Sequence, residues 1–559
     1  MWRSACVTAC AAISLPAVCL AQEAPANGLQ KLMYYRSFLQ DSQDCAVTVE
    51  SGRPSFSEAV SGSAAATCPD AFAWVQFLEA IAGLNAGTAE PVPFWNWGVD
   101  QTVWMNEPLP LCTEANQTDC CDPNAQIDPS GPMPEHCPVF RGDYYDPGPL
   151  PAQPHGAPSG NTLSHSGLRL ADEIDPGRLL RDMELEWVFR NKPFVDYTYR
   201  NDLYNKEGLG ARNQAQNDAL SSGDIARAHA LEVRYPTDAV IVKVDLLHQD
   251  VMLATGLIQG EDADGNPVEP PNNPEFPYLT VDVQNPAEGS VNGLYYVLAM
   301  TNASKDLPIW HWYAIEHVAN LGRCDYIGCN DSFGYAAGTE SESGAVFGST
   351  YIPPMTVLNN NLATQPDEPD PNSPLFVTGK VYLPEMTGES MTPELEALFD
   401  ALDIGTAEAD ANPDVLAPQD PAWRNYRLKG TQTTFVTPTG IPTGTGATIT
   451  EGGFVNSASC TSCHSQASVD ETGNSGMQGV GSDWTPNLLG FDRIVMGAPS
   501  MAWFYSNGGP SVEATQVDFI WGILGAQCVE KVITEVGGKE TVVPSCKSYP
   551  TSPTIISAE

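Results

Sequence analysis

Positive charge is scarce in this 559-residue chain: Lys and Arg number 26 against 69 Asp and Glu, a formal net charge of −43. That imbalance argues against nucleic acid and anionic lipid surfaces as partners. Two explanations fit it, the steering of a basic partner protein to an acidic face and the adaptation of a whole proteome to salt. Histidine is also scarce, at eight residues, so a multi-histidine metal centre is not expected. Beyond Leu20 no apolar run is long enough to span a bilayer, and no transmembrane segment is predicted. P-loop, GxGxxG, GxSxG and HExxH patterns are all missing. No catalytic residue is therefore assigned.

What is present begins at the N-terminus. Arg3 precedes the apolar stretch Ala5 to Leu20, which ends in small residues at Ala21-Gln22. This reads as a bacterial signal peptide over residues 1–21, too short for a membrane anchor, and it predicts a periplasmic or extracellular protein. Cysteine usage agrees. Of 15 cysteines, Cys6, Cys10 and Cys19 leave with the signal and two sit in a motif near the C-terminus. The remaining ten suffice for five disulfides in an oxidising compartment. Proximity pairs Cys45 with Cys68, Cys324 with Cys329, and Cys528 with Cys546. Cys112, Cys120, Cys121 and Cys137 form two more bridges whose connectivity stays open. Zinc is a poor alternative there, because adjacent Cys120-Cys121 lacks paired CxxC spacing.

The chain divides by texture into an irregular, loop-rich and helical region (22–230), a β-rich middle domain (231–390) and a C-terminal domain (391–559). Helical periodicity marks Phe72 to Ile81, Asp172 to Tyr204, Ala211 to Leu231 and Thr392 to Leu402, and a final helix is expected over Val512 to Leu524. Pro, Asp, Cys and Gly crowd the disulfide-pinned stretch Pro91 to Ser159. The runs Ala239 to Val244 and Leu294 to Met300 read as buried strands. Asp264-Gly265 predicts a hairpin turn; the EF-hand loop does not fit, since its Gly falls out of place. The expected fold class is thus α+β and multidomain, closing with an α-helical cytochrome c-like domain.

One motif carries chemistry. Cys460-Thr461-Ser462-Cys463-His464 spaces two thiols to form thioethers with the two vinyl groups of a haem, and places an imidazole beneath the iron. One covalent haem c is expected, with His464 as proximal ligand. No His follows His464, so a self-contained haem domain needs a methionine opposite, or leaves the position open. Met477, Met496 and Met501 are the candidates, with Met496 and Met501 placed best, between the motif and the expected final helix. His317 is the alternative, delivered by the middle domain. Trp503 and Trp521 are close enough in sequence to shield the ring.

Further segments suggest a family. Leu307-Pro308-Ile309-Trp310-His311-Trp312-Tyr313-Ala314-Ile315-Glu316-His317 precedes Gly322-Arg323-Cys324-Asp325 and Asp331-Ser332-Phe333-Gly334. Asn425 to Gln432 lies ahead of the haem motif and Asp518-Phe519-Ile520-Trp521 behind it. Together these resemble exported bacterial single-haem c-type cytochrome-like proteins with a W-x-W-A-T-F-E-H segment and a C-terminal CxxCH. The chain departs from that pattern at His311 and at Tyr313-Ala314-Ile315. The resemblance implies covalent haem and redox function without a defined activity. Single-electron transfer to a redox partner protein, possibly a basic one, is the leading expectation, ahead of a turnover enzyme. The alternatives are a haem-linked oxidoreductase whose N-terminal part is catalytic, and a binding module with an attached haem domain.

Overall fold

A computed structural model describes residues 41–114, 116–125, 136–142, 184–262, 264–283, 292–320, 323, 329–334, 351–352, 391–407, 416–436, 443–451, 458–474, 497–499, 504–505, 511–536 and 538–547. The signal segment, Cys324, Met477, Met496, Met501 and Trp503 lie outside these.

Strands β1 (Val47–Glu50) and β2 (Arg53–Phe56) form a hairpin ahead of helix α1 (Pro69–Ala82). Pro69 suits the first helical turn, where its missing N–H costs nothing, and Gly83 ends the helix in the left-handed conformation at φ 78°. The main sheet then assembles from distant segments: β3 (Gly98–Val99), β4 (Leu185–Arg190), β5 (Val240–His248), β8 (Thr280–Val283), β9 (Gly293–Ser304), β10 (His311–His317) and β13 (Tyr426–Gln432). The smaller hairpins β6 (Gln259–Glu261) with β7 (Pro267–Asn272), and β11 (Cys329–Asn330) with β12 (Tyr351–Ile352), lie between them in sequence. The strand order is β13-β10-β9-β5-β4-β3, with β8 on the free end of β9, and every pairing is antiparallel.

Alternation along these strands gives the sheet two faces. One presents Leu185, Trp187, Phe189, Val240, Val242, Val244, Tyr313 and Ile315 to α1, to Trp95 and Trp423, and to helix α6 described below; this is the largest apolar core. The other presents Glu186, Val188, Ile241, Lys243, Asp245, Thr301, Trp312, Ala314 and Glu316. Over that second face run 443–451, 458–474 and 511–525.

Helices α2 (Lys192–Arg200), α3 (Lys206–Ser222) and α4 (Ile225–Ala230) follow β4, α5 (Gln249–Thr255) follows β5, and α6 (Pro393–Ala401) precedes β13. Asn205 caps α3 by accepting from Gly208 N–H at 2.8 Å. Its exposed-looking amides are used inward. Asn213 donates to Val469 O and Thr515 Oγ1, and Asn217 to Val512 O at 2.6 Å. The short helix α7 (Cys460–His464) and strands β14 (Ser468–Val469) and β15 (Thr515–Gln516) are thereby tied to α3. A hairpin of β16 (Lys531–Val536) and β17 (Lys539–Cys546) ends the described chain.

The expected fold class is overturned: one sheet takes β3 and β4 from the region expected to be loop-rich and helical and β13 from the stretch expected to be a separate haem domain. Among the described residues, 391–547 form no α-helical cytochrome domain. β13 joins the main sheet, α6 packs into the core of that sheet, α7 has five residues, and the rest is strands, 3₁₀ turns and loops. The helix expected over Val512 to Leu524 is replaced by β15 and a 3₁₀ turn, because Asp518 and Phe519 take φ values of 49° and 71° that no right-handed helix allows. Leu185–Arg190, read within a helical stretch, is a strand whose Leu-Trp-Phe alternate faces the core. The strands expected at Ala239 to Val244 and Leu294 to Met300 form β5 and β9, and Asp262 to Asn266 makes a turn in which Asp262 accepts from Asp264 and Asn266 N–H groups.

Disulfides join Cys45 to Cys68, Cys112 to Cys120, Cys121 to Cys137 and Cys528 to Cys546. Cys329 is disulfide-bonded as well. No helix among the described residues is long and apolar enough to cross a membrane.

Candidate functional site

Cys460 and Cys463 are the free thiols among the described cysteines. Their spacing, with His464, puts all three side chains on one side of α7. Thr461 and Ser462 point the other way and are fully buried, while the two cysteines and His464 keep some exposure.

Local chemistry explains why so short a helix holds. Ser459 caps it through Ser462 N–H. Gln432, the last residue of β13, then clamps the segment with both ends of its amide. Its Nε2 donates to Ser459 Oγ at 2.8 Å, and its Oε1 accepts from Thr461 N–H at 3.1 Å. Trp521 Nε1 donates to Cys463 O at 3.1 Å from the far side.

His464 is oriented by a backbone group. Its Nδ1 lies 2.8 Å from Phe519 O, so Nδ1 carries the proton and donates, leaving the Nε2 lone pair available to a metal. Burial holds its pKa down to about 4, against the partial opposition of that carbonyl, so the ring is neutral at ordinary pH. Trp312 of β10 packs against the ring with centroids 4.4 Å apart.

The Phe519 carbonyl is itself aimed by a strained turn. Asp518 and Phe519 both sit at positive φ, a cost of about 1–3 kcal/mol each for such residues. A buried clamp offsets it. Asp518 Oδ2 accepts from Tyr235 N–H at 2.7 Å, its Oδ1 meets Lys305 Nζ at 2.5 Å, and its carbonyl accepts from Trp310 Nε1 at 3.0 Å.

The thiols are not activated nucleophiles. Burial pushes Cys463 up to about 12 and Cys460 upward too, with the Glu451 carboxylate adding to both. A reactive dithiol needs the opposite shift.

Opposite the motif lies the second face of the sheet. Val188, Lys243, Thr301, Ala314 and Gly430 are register partners across five strands, a shallow row of mostly small groups. Although these are middle strands, Val188, Ile241, Lys243 and Thr301 remain only half-buried, and the Thr301 hydroxyl has no partner. Lys243 and Glu186 act electrostatically on His464, and Lys243 and Glu451 on both cysteines, which places that row in view of the motif. Two thiols, a metal-competent imidazole, aromatic walls from Trp312 and Phe519, and a part-open floor suit a planar, covalently held haem. Cys460, Cys463 and His464 would hold it.

The structure does not bring His317 to this site. On β10 it alternates to the opposite face from Trp312. It is fully buried, with Nε2 at 3.2 Å from Pro277 O and Nδ1 accepting from Ala319 N–H at 3.2 Å. Its ring stacks on Tyr278 at 3.6 Å, and burial lowers its pKa to about 3. Both nitrogens are thus engaged in the core. Its neighbour Glu316 faces the other way, taking Lys429 Nζ at 3.2 Å and both the N–H and hydroxyl of Thr448.

Sequence reasoning missed Gln432, the Phe519 carbonyl, Lys243 and the carboxylates around it. Gln432 and Phe519 fall within the segments that carry the resemblance; Lys243 interrupts an apolar strand, which is the signal that marks it. No protein-family model matches this chain, and neither curated proteins nor solved structures yield a match.

Proposed function

We propose that this chain is an exported monohaem c-type cytochrome that transfers single electrons. The observation that carries the reading is the His464 ring, held in one tautomer by Phe519 O at 2.8 Å beside two free thiols on the same side of α7. Cys460 and Cys463 would hold haem c as thioethers, and His464 would offer Nε2 to its iron. Haem, when bound, supplies a reversible one-electron couple. The hydrogen bond to Phe519 raises the basicity of the imidazole, and Trp312 and Phe519 keep water from it. The excess of 69 acidic over 26 basic side chains favours a basic redox partner, steered by long-range attraction. Disulfides and the N-terminal apolar run support the periplasm or the extracellular space.

We assign the sixth ligand to Met496 or Met501, since the nitrogens of His317 already have partners. Oxidised protein should then show the weak far-red band of sulfur-to-iron ligation, lost in one of the two Met→Ala variants. A second reading, a haem-linked oxidoreductase, is favoured by one observation: the half-buried Lys243–Glu186 pair faces the motif and offers a charged group there to a bound substrate. Turnover with a small-molecule oxidant tests it.

The main reading is tested by Cys460→Ala with Cys463→Ala. The wild type should carry haem-dependent peroxidase stain through denaturing electrophoresis, and the double variant none. Stain that persists in the variant contradicts the assignment.

A further inference from the structure

The second face of the sheet holds a group of acids that the haem reading does not use. Glu186 on β4 and Asp245 on β5 are direct register partners, and Glu184 lies two residues before Glu186 on the same side. One oxygen from each carboxylate falls within 4.8 Å of the others. Glu184 and Asp245 are 3 % and 0 % exposed. Like charges directly opposed on a sheet repel, and burial strengthens the repulsion.

Asp245 is the sharper observation. No N–H, ammonium or hydroxyl donor reaches either of its oxygens, and its one hydrogen-bonding neighbour is another acid, Glu184. Elsewhere in this protein buried acids collect donors: Asp70 takes Ser332 N–H, Ser332 Oγ and Thr431 Oγ1, and Asp331 takes Trp74 Nε1, Phe333 N–H and Gly334 N–H. In the Asp245 group the donors run out early. Lys243 Nζ is committed to Glu186 Oε2 at 2.8 Å, and Thr450 Oγ1 to Glu184 Oε1 at 2.9 Å. Glu451 adds a buried Oε2 that also lacks a partner. The four carboxylates therefore draw on Lys243 alone at close range, since the nearby Lys429 ammonium is bonded to Glu316 and acts on Glu451 only at a distance. Uncompensated buried charge costs several kcal/mol per ion by general estimates, so protons or a metal must neutralise the rest.

We propose that Glu184, Glu186 and Asp245 bind one hard divalent cation, of the calcium or magnesium type, on the sheet face that lies toward the Cys460–His464 motif. The donors are all oxygen, which selects hard cations over zinc or copper. Glu451 and water would complete a coordination shell that three side chains cannot fill alone. The competing account is a proton shared in a hydrogen bond between Glu184 and Asp245: burial raises both, Glu184 to about 7 with Glu186 adding to the rise, and Asp245 further through the Glu184 charge. The site does not depend on whether haem is attached.

The test uses the mature full chain, stripped with chelator and dialysed in physiological salt. Calcium chloride is titrated calorimetrically, followed by magnesium chloride in competition. Wild type should bind one equivalent well above the diffuse affinity of its acidic surface, and its thermal midpoint should rise with calcium. Glu184→Gln with Asp245→Asn should lose that equivalent and the rise together. Absence of a stoichiometric equivalent in wild type overturns the proposal without reference to any variant. An undiminished equivalent in the double variant, or in Glu186→Gln if the double variant does not fold, overturns it too. A double variant that is blind to calcium and leaves a wild type equally blind shows the shared proton instead.

Discussion

The two faces of the main sheet are made from the same strands and have opposite characters. Toward α1 the alternate residues are Leu, Trp, Phe and Val, closed over by Trp74, Trp95 and Trp423 and almost without exposure. Toward the haem motif they are Glu186, Val188, Lys243, Asp245 and Thr301, part-open and with unpartnered polar atoms. A sheet needs only one apolar face to fold. The first face supplies that, which frees the second to carry charged and polar groups at some cost in stability.

The comparison is most sharply tested by truncation on the closed face. Trp423→Ala should cost about 3–5 kcal/mol in denaturant unfolding, the usual range for a fully buried Trp. On the motif side the largest loss should come from Asp518→Ala, about 3 kcal/mol, because it strands Lys305 and Tyr235 N–H in a buried clamp. That variant should also broaden the His464 ring signals, since the turn aiming Phe519 O loses its support. If Asp518→Ala leaves His464 unchanged, the clamp does not orient the site.

A smaller effect concerns pH. Burial raises Glu79, on α1, to about 7, with Arg53 opposing and Asp306 assisting the shift. A carboxyl whose folded pKa lies above its unfolded value stabilises the fold fully below that unfolded value, near 4.5, and loses this as pH climbs through about 7. Glu79→Gln should therefore flatten part of the fall in stability between about pH 5 and pH 8. A slope unchanged by the substitution would contradict the assignment of that proton to the closed face. The smallest expected difference is a matched pair. Ile315→Val, fully buried on the closed face, should cost about 0.5–1.5 kcal/mol, and Ile241→Val, half-buried on the motif face, less. Equal costs would mean that the two faces are packed alike.

The same contrast explains what could be read in advance. β5 and β9 were legible because their apolar runs belong to central strands, and α6 because Thr392 and Pro393 mark its start. β4 was hidden: six residues of period two run directly into the true helix α2, and so short an alternation is lost beside it. The stretch 512–524 shows helical spacing, yet its conformation is decided by Lys305, Trp310 and Tyr235, more than 200 residues earlier. That Cys460, Cys463 and His464 share one side of a helix could be read in advance, because it follows from their spacing alone. The carbonyl that orients His464 could not, because every residue has one. The Glu184, Glu186 and Asp245 group was equally hidden, since only the β4–β5 register brings its members together.

The most direct test of the central claim is the intact mass and the pyridine haemochrome spectrum of the mature protein, taken from cells that can attach c-type haem. The account predicts a mass greater than that of the polypeptide by one haem, with an absorption band shifted as two saturated vinyl groups require. A polypeptide of unmodified mass, with Cys460 and Cys463 recovered as free thiols or as a disulfide, would contradict it.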